Sequence, residues 1–381
     1  MVQSDYTVGC DAHKHFSLFA VLDRRGDLVQ RTRVGHVPDA IDAFLSQFPK
    51  GTPVALETVG NWYWIVDEIE AAGCIPLLAH AAKAKVMMGN IHKTDKLDAQ
   101  GLATLLYLGK LPSVWIPPAE VRDERELPRT RMVFSQHRTR VKNRIRSTLA
   151  KYALSLDTAS DIFAPKWRPE LEAVLQKLPA ETERCARQQL QILDALNDHI
   201  RQLEDRIVDR IQTTPAIQLV QTVPGPAKVL AIVIEREVGS IDRFSAAKHF
   251  TSYCGLVPKL SASLSWRTVQ GAGRAHYGRM VKQCNTYLKW AFIACPGRQA
   301  GEAANVIVRH RHAPNWRHKY VVHLYERIRR QEVFAVGATA RYLAESTYWV
   351  LKKSEPYREP PHWAPAGMNS PVSLSQGQAR A

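Results

Sequence analysis

Residues 5–35 read DYTVGCDAHKHFSLFAVLDRRGDLVQRTRVG, and this stretch decides the fold of the chain's first part. Tyr6, Val8 and Cys10 alternate with more polar neighbours, the period-two pattern of a strand with one face buried. Residues 16–22, FSLFAVL, form a β-rich apolar run, and Arg24-Arg25-Gly26-Asp27 supplies a turn into a third strand over 28–34. Three short strands in succession, joined by tight turns, form an antiparallel meander.

Outward from that meander the periodicity changes. Residues 38–48 have helical spacing through Ile41, Phe44 and Leu45. Residues 53–58, PVALET, read as a buried strand, 62–72 as a helix and 75–79 as another short strand. A helix follows over 94–108, with Leu97, Leu102, Leu105 and Leu106 as its apolar positions. Strand-strand-strand-helix-strand-helix-strand-helix predicts a mixed α/β sheet with helices on its faces. This is the element order of the ribonuclease-H-like fold.

Four acids fall where metal-assisted phosphodiester chemistry would want them. Asp11 ends the first strand in VGCDAHK, and Glu57 ends the fourth in VALETVG. Asp95 and Asp98 stand three apart in KTDKLDA, near the start of a helix, where positions i and i+3 share a face. If the first and fourth strands are neighbours, Asp11 and Glu57 emerge side by side. Clustered carboxylates repel one another unless a cation joins them. Carboxylate oxygens suit hard Mg²⁺, and Mn²⁺ fits nearly as well. Two such ions can activate an attacking oxygen and stabilise a leaving one. Taken singly, each acid reads equally as an ordinary surface residue, and Asp95 as a helix-start acid favoured by the dipole.

Beyond residue 108, Pro112, Pro117, Pro118 and Pro128 read as a linker or domain edge. From Arg129 to about Ile211 the pattern is helical. Residues 129–151 hold eight basic residues and no acid, with Ile145, Leu149 and Tyr152 as an apolar side. Residues 188–211 carry Leu190, Ile192, Leu193, Leu196, Ile200, Leu203 and Ile207 at coiled-coil-like spacing. Pro224-Gly225-Pro226 opens a third region of further helices to about Lys353, and a Pro-, Ser-, Gly- and Gln-rich tail from Glu355 reads as disordered. The expected domains are 1–118 (α/β), 119–215 (basic and helical or coiled-coil), 216–354 (mainly α) and 355–381 (tail).

The chain has 381 residues and a formal net charge of +16, which points to a polyanionic partner, nucleic acid first. No stretch of about 18 apolar residues occurs, so a membrane partner is not expected. The N-terminus lacks a basic region followed by an apolar run, which gives a cytoplasmic expectation. The six cysteines are scattered without a CxxC pair, against a zinc ribbon or disulfide scaffold. Arg129, Arg131, Arg138, Arg140, Lys142, Arg144 and Arg146 form a dense strip suited to phosphate contact. Arg309, Arg311, Arg317 and Lys319, interleaved with His310, His312, Trp316, His318 and Tyr320, suit RNA or single-strand contact. His310, His312, His318 and His323 match no standard zinc spacing. Trp62, Tyr63 and Trp64 follow Glu57 and read either as stacking surfaces or as core.

VGCDAHK, ALETVGNWYW and HKTDKLDA resemble the DEDD transposases of bacterial insertion sequences (the IS-one-ten and IS-eleven-eleven group). KNRIRSTLAKY is similar to the family's basic helix, and TVPGPAKVLAIVIEREVG, DRF and SYCGLVPKLSAS to the start of its second, transposase domain. HYGRMVKQCNTYLKWAFI, EAANVIVRHR and LAESTYWVLKKSEPYREP resemble that domain's later parts. These motifs run in order from about residue 6 to 360.

The resemblance implies a first domain like the Holliday-junction resolvases, with Asp11, Glu57, Asp95 and Asp98 binding Mg²⁺. It implies a serine that attacks DNA and forms a covalent phosphoserine link, and domains of different protomers building a composite site. It also implies a bridge RNA that pairs with donor and target DNA. Counting from Pro258 places that serine at Ser263, with Ser261 and Ser265 as rivals. Leu264 stands where the family has Gly, and the stretch from Ser263 to Tyr277 is longer than usual, which leaves open a degenerate copy. A dimer or tetramer is expected, since recombination handles two DNA partners together. The competing readings are a structure-selective metal nuclease without serine chemistry and an inactive nucleic-acid-binding derivative.

Overall fold

The computed structural model describes residues 4–88, 95–156, 161–261, 276–281, 283–293, 303–330, 335–361 and 363. The chain divides into two compact units, Met1–Pro118 and Ala119–Ala381.

The first unit opens with β1 (Thr7–Ala12), β2 (Phe16–Leu22), β3 (Leu28–Gly35) and α1 (Ala40–Leu45). It continues through β4 (Pro53–Glu57), α2 (Trp62–Ala71), β5 (Ile75–Ala79) and α3 (Ala81–Met88). It ends with α4 (Asp95–Tyr107) and β6 (Ser113–Val114). The six-stranded sheet has the order β3-β2-β1-β4-β5-β6. β1, β2 and β3 are antiparallel, β4 and β5 run parallel to β1, and β6 is antiparallel to β5. The expected mixed α/β sheet is thus present. α3 and β6 were not anticipated: the helix has almost no apolar stripe, and the strand is two residues long.

Strand position explains strand composition. β4 is central and buried on both faces, so its apolar residues run without alternation. β3 is an edge, and it turns Val29, Arg31 and Arg33 outward, with charge blunting the free edge. Gly26 makes the β2–β3 turn with φ +84°, a conformation that favours glycine, while Asp23 Oδ1 accepts from the Arg25 and Asp27 N–H groups at 2.8 and 2.9 Å. One sheet face, with Val8, Cys10, Val54 and Leu56, packs on Ile41 and Leu45 of α1 and Ile65 and Ile69 of α2. The other, with Ala55 and Ala79, packs on Ala84 of α3 and Leu102 and Leu105 of α4.

The second unit is mostly helical. α5 (Ala119–Lys151) leads to a 3₁₀ turn at Pro165–Trp167, α6 (Arg168–Leu175) and α7 (Ala180–Arg210). α8 (Pro215–Thr222), α9 (Lys228–Val238), a 3₁₀ turn at Ile241–Arg243 and α10 (Ala247–Tyr253) follow. Then come β7 (Pro258–Ser261), β8 (His276–Met280), α11 (Thr286–Phe292), α12 (Ala303–His310), α13 (Tyr320–Arg329) and α14 (Ala335–Lys353). α5 and α7 pack antiparallel: Glu120 meets Arg210 at 3.8 Å, and Arg131 Nε meets Glu204 at 2.8 Å. The buried residues of α7, Ala186, Leu190, Leu193, Ile200 and Ile207, keep heptad-like spacing, while Ile192 faces outward. A larger core gathers α8 to α14 around Ile232, Phe250, Phe292 and Tyr348.

Four sequence expectations change here. Pro128 is no linker residue: it is buried inside α5, which starts at Ala119. A proline inside a helix costs about 3 kcal/mol, and packing of α5 on α7 and α9 outweighs it. Tyr152 lies past the end of α5 and is exposed, while Ile145 and Leu149 are buried there with Val141 packed against their cluster. β7 and β8 form an antiparallel pair within a region expected to be helical. The tail is tied down as far as Trp363: Tyr357 OH meets Tyr342 OH at 2.9 Å, and Trp363 Nε1 donates to the His318 carbonyl at 3.0 Å.

Candidate active site and nucleic-acid interface

Strand parity places two of the four acids. Val8 and Cys10 face the α1–α2 side, so Gly9 and Asp11 face the α4 side. By the same alternation Val54 and Leu56 face one side, and Ala55 and Glu57 the other. β1 and β4 are parallel, with Gly9 opposite Ala55 and Cys10 opposite Leu56. The next step in this register sets Asp11 beside Glu57, at the carboxyl ends of adjacent strands and on the face that α4 covers.

Gly9 brings α4 to that face. A Cβ at Gly9 would lie 2.0 Å from the Ala99 carbonyl oxygen and 2.6 Å from the Ala103 nitrogen, so only glycine admits this approach. Asp95 and Asp98 each stand one helical turn before a residue at the sheet, Ala99 and Leu102. Asp98 is half-buried, and the side chain of Asp95 lies outside the described residues. Among the described residues, no group of three or more His, Cys, Asp or Glu is arranged to hold a metal ion.

His13 joins this edge and was not singled out from the sequence. Its Nε2 lies 3.1 Å from Asp11 Oδ2. Its ring stacks on Phe16 at 4.6 Å, and its carbonyl accepts from Asn61 Nδ2 at 2.9 Å. The guanidinium of Arg33 lies 4.0 Å from the centre of the Phe16 ring. The signal was present: in VGCDAHK, His13 is two residues from Asp11, the spacing of side chains on one strand face. The neighbouring Cys10 is fully buried on the other face, and burial pushes its thiol up to about 12. Trp62 and Trp64 are partly buried against the α1–α2 side of the core, and Tyr63 meets Trp62 edge-on at 4.3 Å.

Of the candidate serines, Ser261 closes β7 opposite His276, while Ser263 and Ser265 lie outside the described residues. The base of this β7–β8 pair is firmly held. Val281 N donates to Val257 O at 3.2 Å, Asn285 N to Tyr253 O at 2.8 Å, and Lys289 Nζ to Val281 O at 2.9 Å. Asn285 Oδ1 caps α11 by accepting from Tyr287 N and Leu288 N at 3.0 and 2.9 Å. Asn285 Nδ2 donates to Glu237 Oε2 at 2.9 Å. Glu237 is buried and also meets Arg129 Nε at 2.8 Å and Arg125 Nε at 3.9 Å.

That network divides the basic strip of α5. Arg129 pairs with Glu237, Arg131 with Glu204, and Lys142 and Arg146 with Asp161 at 3.0 and 3.5 Å. Arg138 is half-buried, and desolvation, followed by the charge of Arg131, lowers its pKa. Arg140 and Arg144 are exposed. In the second basic cluster, Arg309 and Arg317 are exposed, Arg311 pairs with Glu326 at 3.1 Å, and Lys319 Nζ lies 5.5 Å from the Trp316 ring.

Comparison with known proteins bears on both units. Residues 8–154 match the DEDD transposase profile of the IS110 type, described as a transposase. Residues 217–320 match a second profile, described as the transposase IS116/IS110/IS902 family. The protein class is therefore that of transposases. The transposase for insertion sequence element IS1111A of Coxiella burnetii (strain RSA 493 / Nine Mile phase I) is 25% identical over 179 residues. That match covers 45% of this chain and 47% of the relative, so the chain spans about half the length of the curated relative it matches. The chain belongs to the IS110/IS1111 family of transposases.

Proposed function

We propose that the chain is a DNA transposase that breaks and rejoins DNA phosphodiesters to move an insertion sequence. The observation that carries this reading is the parallel β1–β4 pairing, which sets Asp11 beside Glu57 under α4. The strand order, with three antiparallel strands followed by two parallel to the first, supports assigning the first unit to the ribonuclease-H-like, resolvase-like fold.

The donor set suits a hard divalent cation, because Asp11, Glu57, Asp95 and Asp98 offer only carboxylate oxygens. Mg²⁺, or Mn²⁺ in its place, would be held by these four and would supply charge stabilisation at phosphate oxygens. His13 Nε2 stands 3.1 Å from one Asp11 oxygen, a position from which it would orient the carboxylate. Ser263 is the proposed nucleophile. Its hydroxyl oxygen bonds to a DNA phosphorus, the bond from that phosphorus to one bridging strand oxygen breaks, and the released oxygen takes up a proton. Attack by a hydroxyl of another strand reverses the exchange, frees the serine and completes rejoining. The serine gives up its proton to water as it attacks. Donor and target DNA, a bridge RNA selecting both, a dimeric or tetrameric assembly and a bacterial cytoplasmic setting complete the proposal.

The test is excision and rejoining of a plasmid-borne element carrying the gene's own flanking DNA, in cells and then with purified protein and Mg²⁺. Wild-type activity should disappear in Asp11→Asn, Glu57→Gln and Ser263→Ala, and a strand should remain covalently attached to wild-type protein. Strand breakage that is unchanged in Ser263→Ala, Ser261→Ala and Ser265→Ala, with no covalent attachment, would remove serine chemistry and leave a metal nuclease. Nucleic-acid binding with no strand breakage under any metal would leave an inactive binder.

A further inference from the structure

A cavity of about 350 Å³ opens beside α13, lined by Arg311, His312, Arg317, His323, Glu326 and Arg330. Three guanidinium groups face one carboxylate there, which leaves a net charge of +2 before either histidine is counted. The charges have different roles. Arg311 Nε meets Glu326 Oε1 at 3.1 Å, and Arg329 approaches the same oxygen at 3.7 Å, so Glu326 is already engaged. Arg317 and Arg330 are exposed at the cavity, with Arg317 Nε 3.0 Å from His318 Nε2.

The rings around this cavity contact one another. Trp316 lies against the His310 ring at 5.9 Å and near-parallel, with Lys319 Nζ 5.5 Å from its centre. Trp363 meets the His323 ring at 4.4 Å and the Tyr320 ring at 5.7 Å, and its Nε1 donates to the His318 carbonyl. The C-terminal segment is pinned beside this group: Glu359 Oε2 accepts from Tyr320 N and Tyr357 OH, both at 3.1 Å.

We propose that this cavity is a phosphate pocket that grips the backbone of a nucleic-acid strand and recognises charge, not base identity. Planar guanidinium forks match phosphate oxygens with two parallel N–H donors, which an ammonium does not provide. The volume lies within the range of built small-ligand sites. Among the described residues no Trp, Tyr or Phe lines the cavity, and phosphate contacts position a strand without reading it. The choice of a nucleic-acid strand as occupant rests on the transposase reading above, but its test does not require catalysis.

Binding of fluorescein-labelled oligodeoxythymidylate and oligouridylate to the full chain, in EDTA across a salt series, tests the pocket without strand chemistry. Arg317→Ala/Arg330→Ala should weaken binding about ten-fold or more and reduce the slope of log affinity against log salt by about 1 to 2. Glu326→Gln should strengthen binding, an effect a purely structural carboxylate would not give. Loss with both probes assigns a phosphodiester of either sugar, loss with the first alone assigns a DNA strand, and loss with the second alone assigns RNA. Unchanged affinity and slope in a double variant with native circular dichroism would overturn the pocket. Were the double variant to misfold, the single Arg330→Glu, at an exposed position, carries the same expectation. If excision fails while these shifts appear, the pocket stands and the catalytic reading falls.

Discussion

Gly9 of β1 and Ala99 of α4 approach so closely that a Cβ on the glycine would sit 2.0 Å from the alanine carbonyl oxygen. This contact seats the helix carrying Asp95 and Asp98 over the strand carrying Asp11. Gly9→Ala should force the helix outward and destabilise the first unit by about 1–3 kcal/mol, as overpacked sites do. Gly9→Val should do more. Urea denaturation followed by tryptophan fluorescence reads this directly, and unchanged stability would mean that α4 is not seated on β1.

His13 is expected to act through Asp11. His13→Ala should lower metal affinity or strand-breaking activity by about 10- to 100-fold, the usual effect of removing a group that orients a ligand. His13→Gln, which keeps a donor near the carboxylate, should recover part of it. Metal titration of activity separates the two quantities, and an unaffected His13→Ala would show the 3.1 Å pair to be incidental.

Glu237 serves two guanidinium groups and Asn285 from a buried position. Glu237→Ala leaves Arg125 and Arg129 without this carboxylate and should cost about 3–5 kcal/mol. Glu237→Gln removes the charge but retains one acceptor for Asn285, and should cost less. Thermal unfolding of the two variants ranks them, and equal losses would show that the Asn285 bond contributes nothing.

Arg140 and Arg144 should behave as phosphate contacts, and Arg131 as a structural ion pair. Alanine at either exposed position should lower the salt slope of duplex DNA binding by about 1, with stability unaltered. Arg131→Ala should reduce stability and leave the slope unchanged. A slope that responds only to Arg131 would reverse this assignment.

Thiol labelling should follow burial. Cys185 is exposed on α7, whereas Cys10 and Cys254 are buried and desolvation raises both thiols, Cys10 to about 12. A maleimide at neutral pH should modify Cys185 in the native protein and reach Cys10 and Cys254 only on unfolding, because thiolate is the reactive form. Mass spectrometry of labelled peptides checks this, and rapid native labelling of Cys10 would contradict the buried β1.

The first unit was legible from residue order because its signals are local. The strand patterns within 5–35, the apolar run PVALE and the helical spacing of 94–108 are each readable from neighbouring residues, and they also set Asp11 and Glu57 toward strand ends. Local signals do not report partners across the chain. Arg129 and Arg131 read as free positive charge until folding brought Glu237 and Glu204 to them, from 108 and 73 residues away. Pro128 read as a break because propensity alone opposes a helix there, and packing on distant helices reverses that outcome. The side of the sheet that Asp11 and Glu57 share, the seat of α4 on Gly9 and the approach of His13 to Asp11 required the tertiary structure. Strand pairing and helix placement come from burying apolar surface between segments far apart in sequence, and that is a property of the folded chain as a whole.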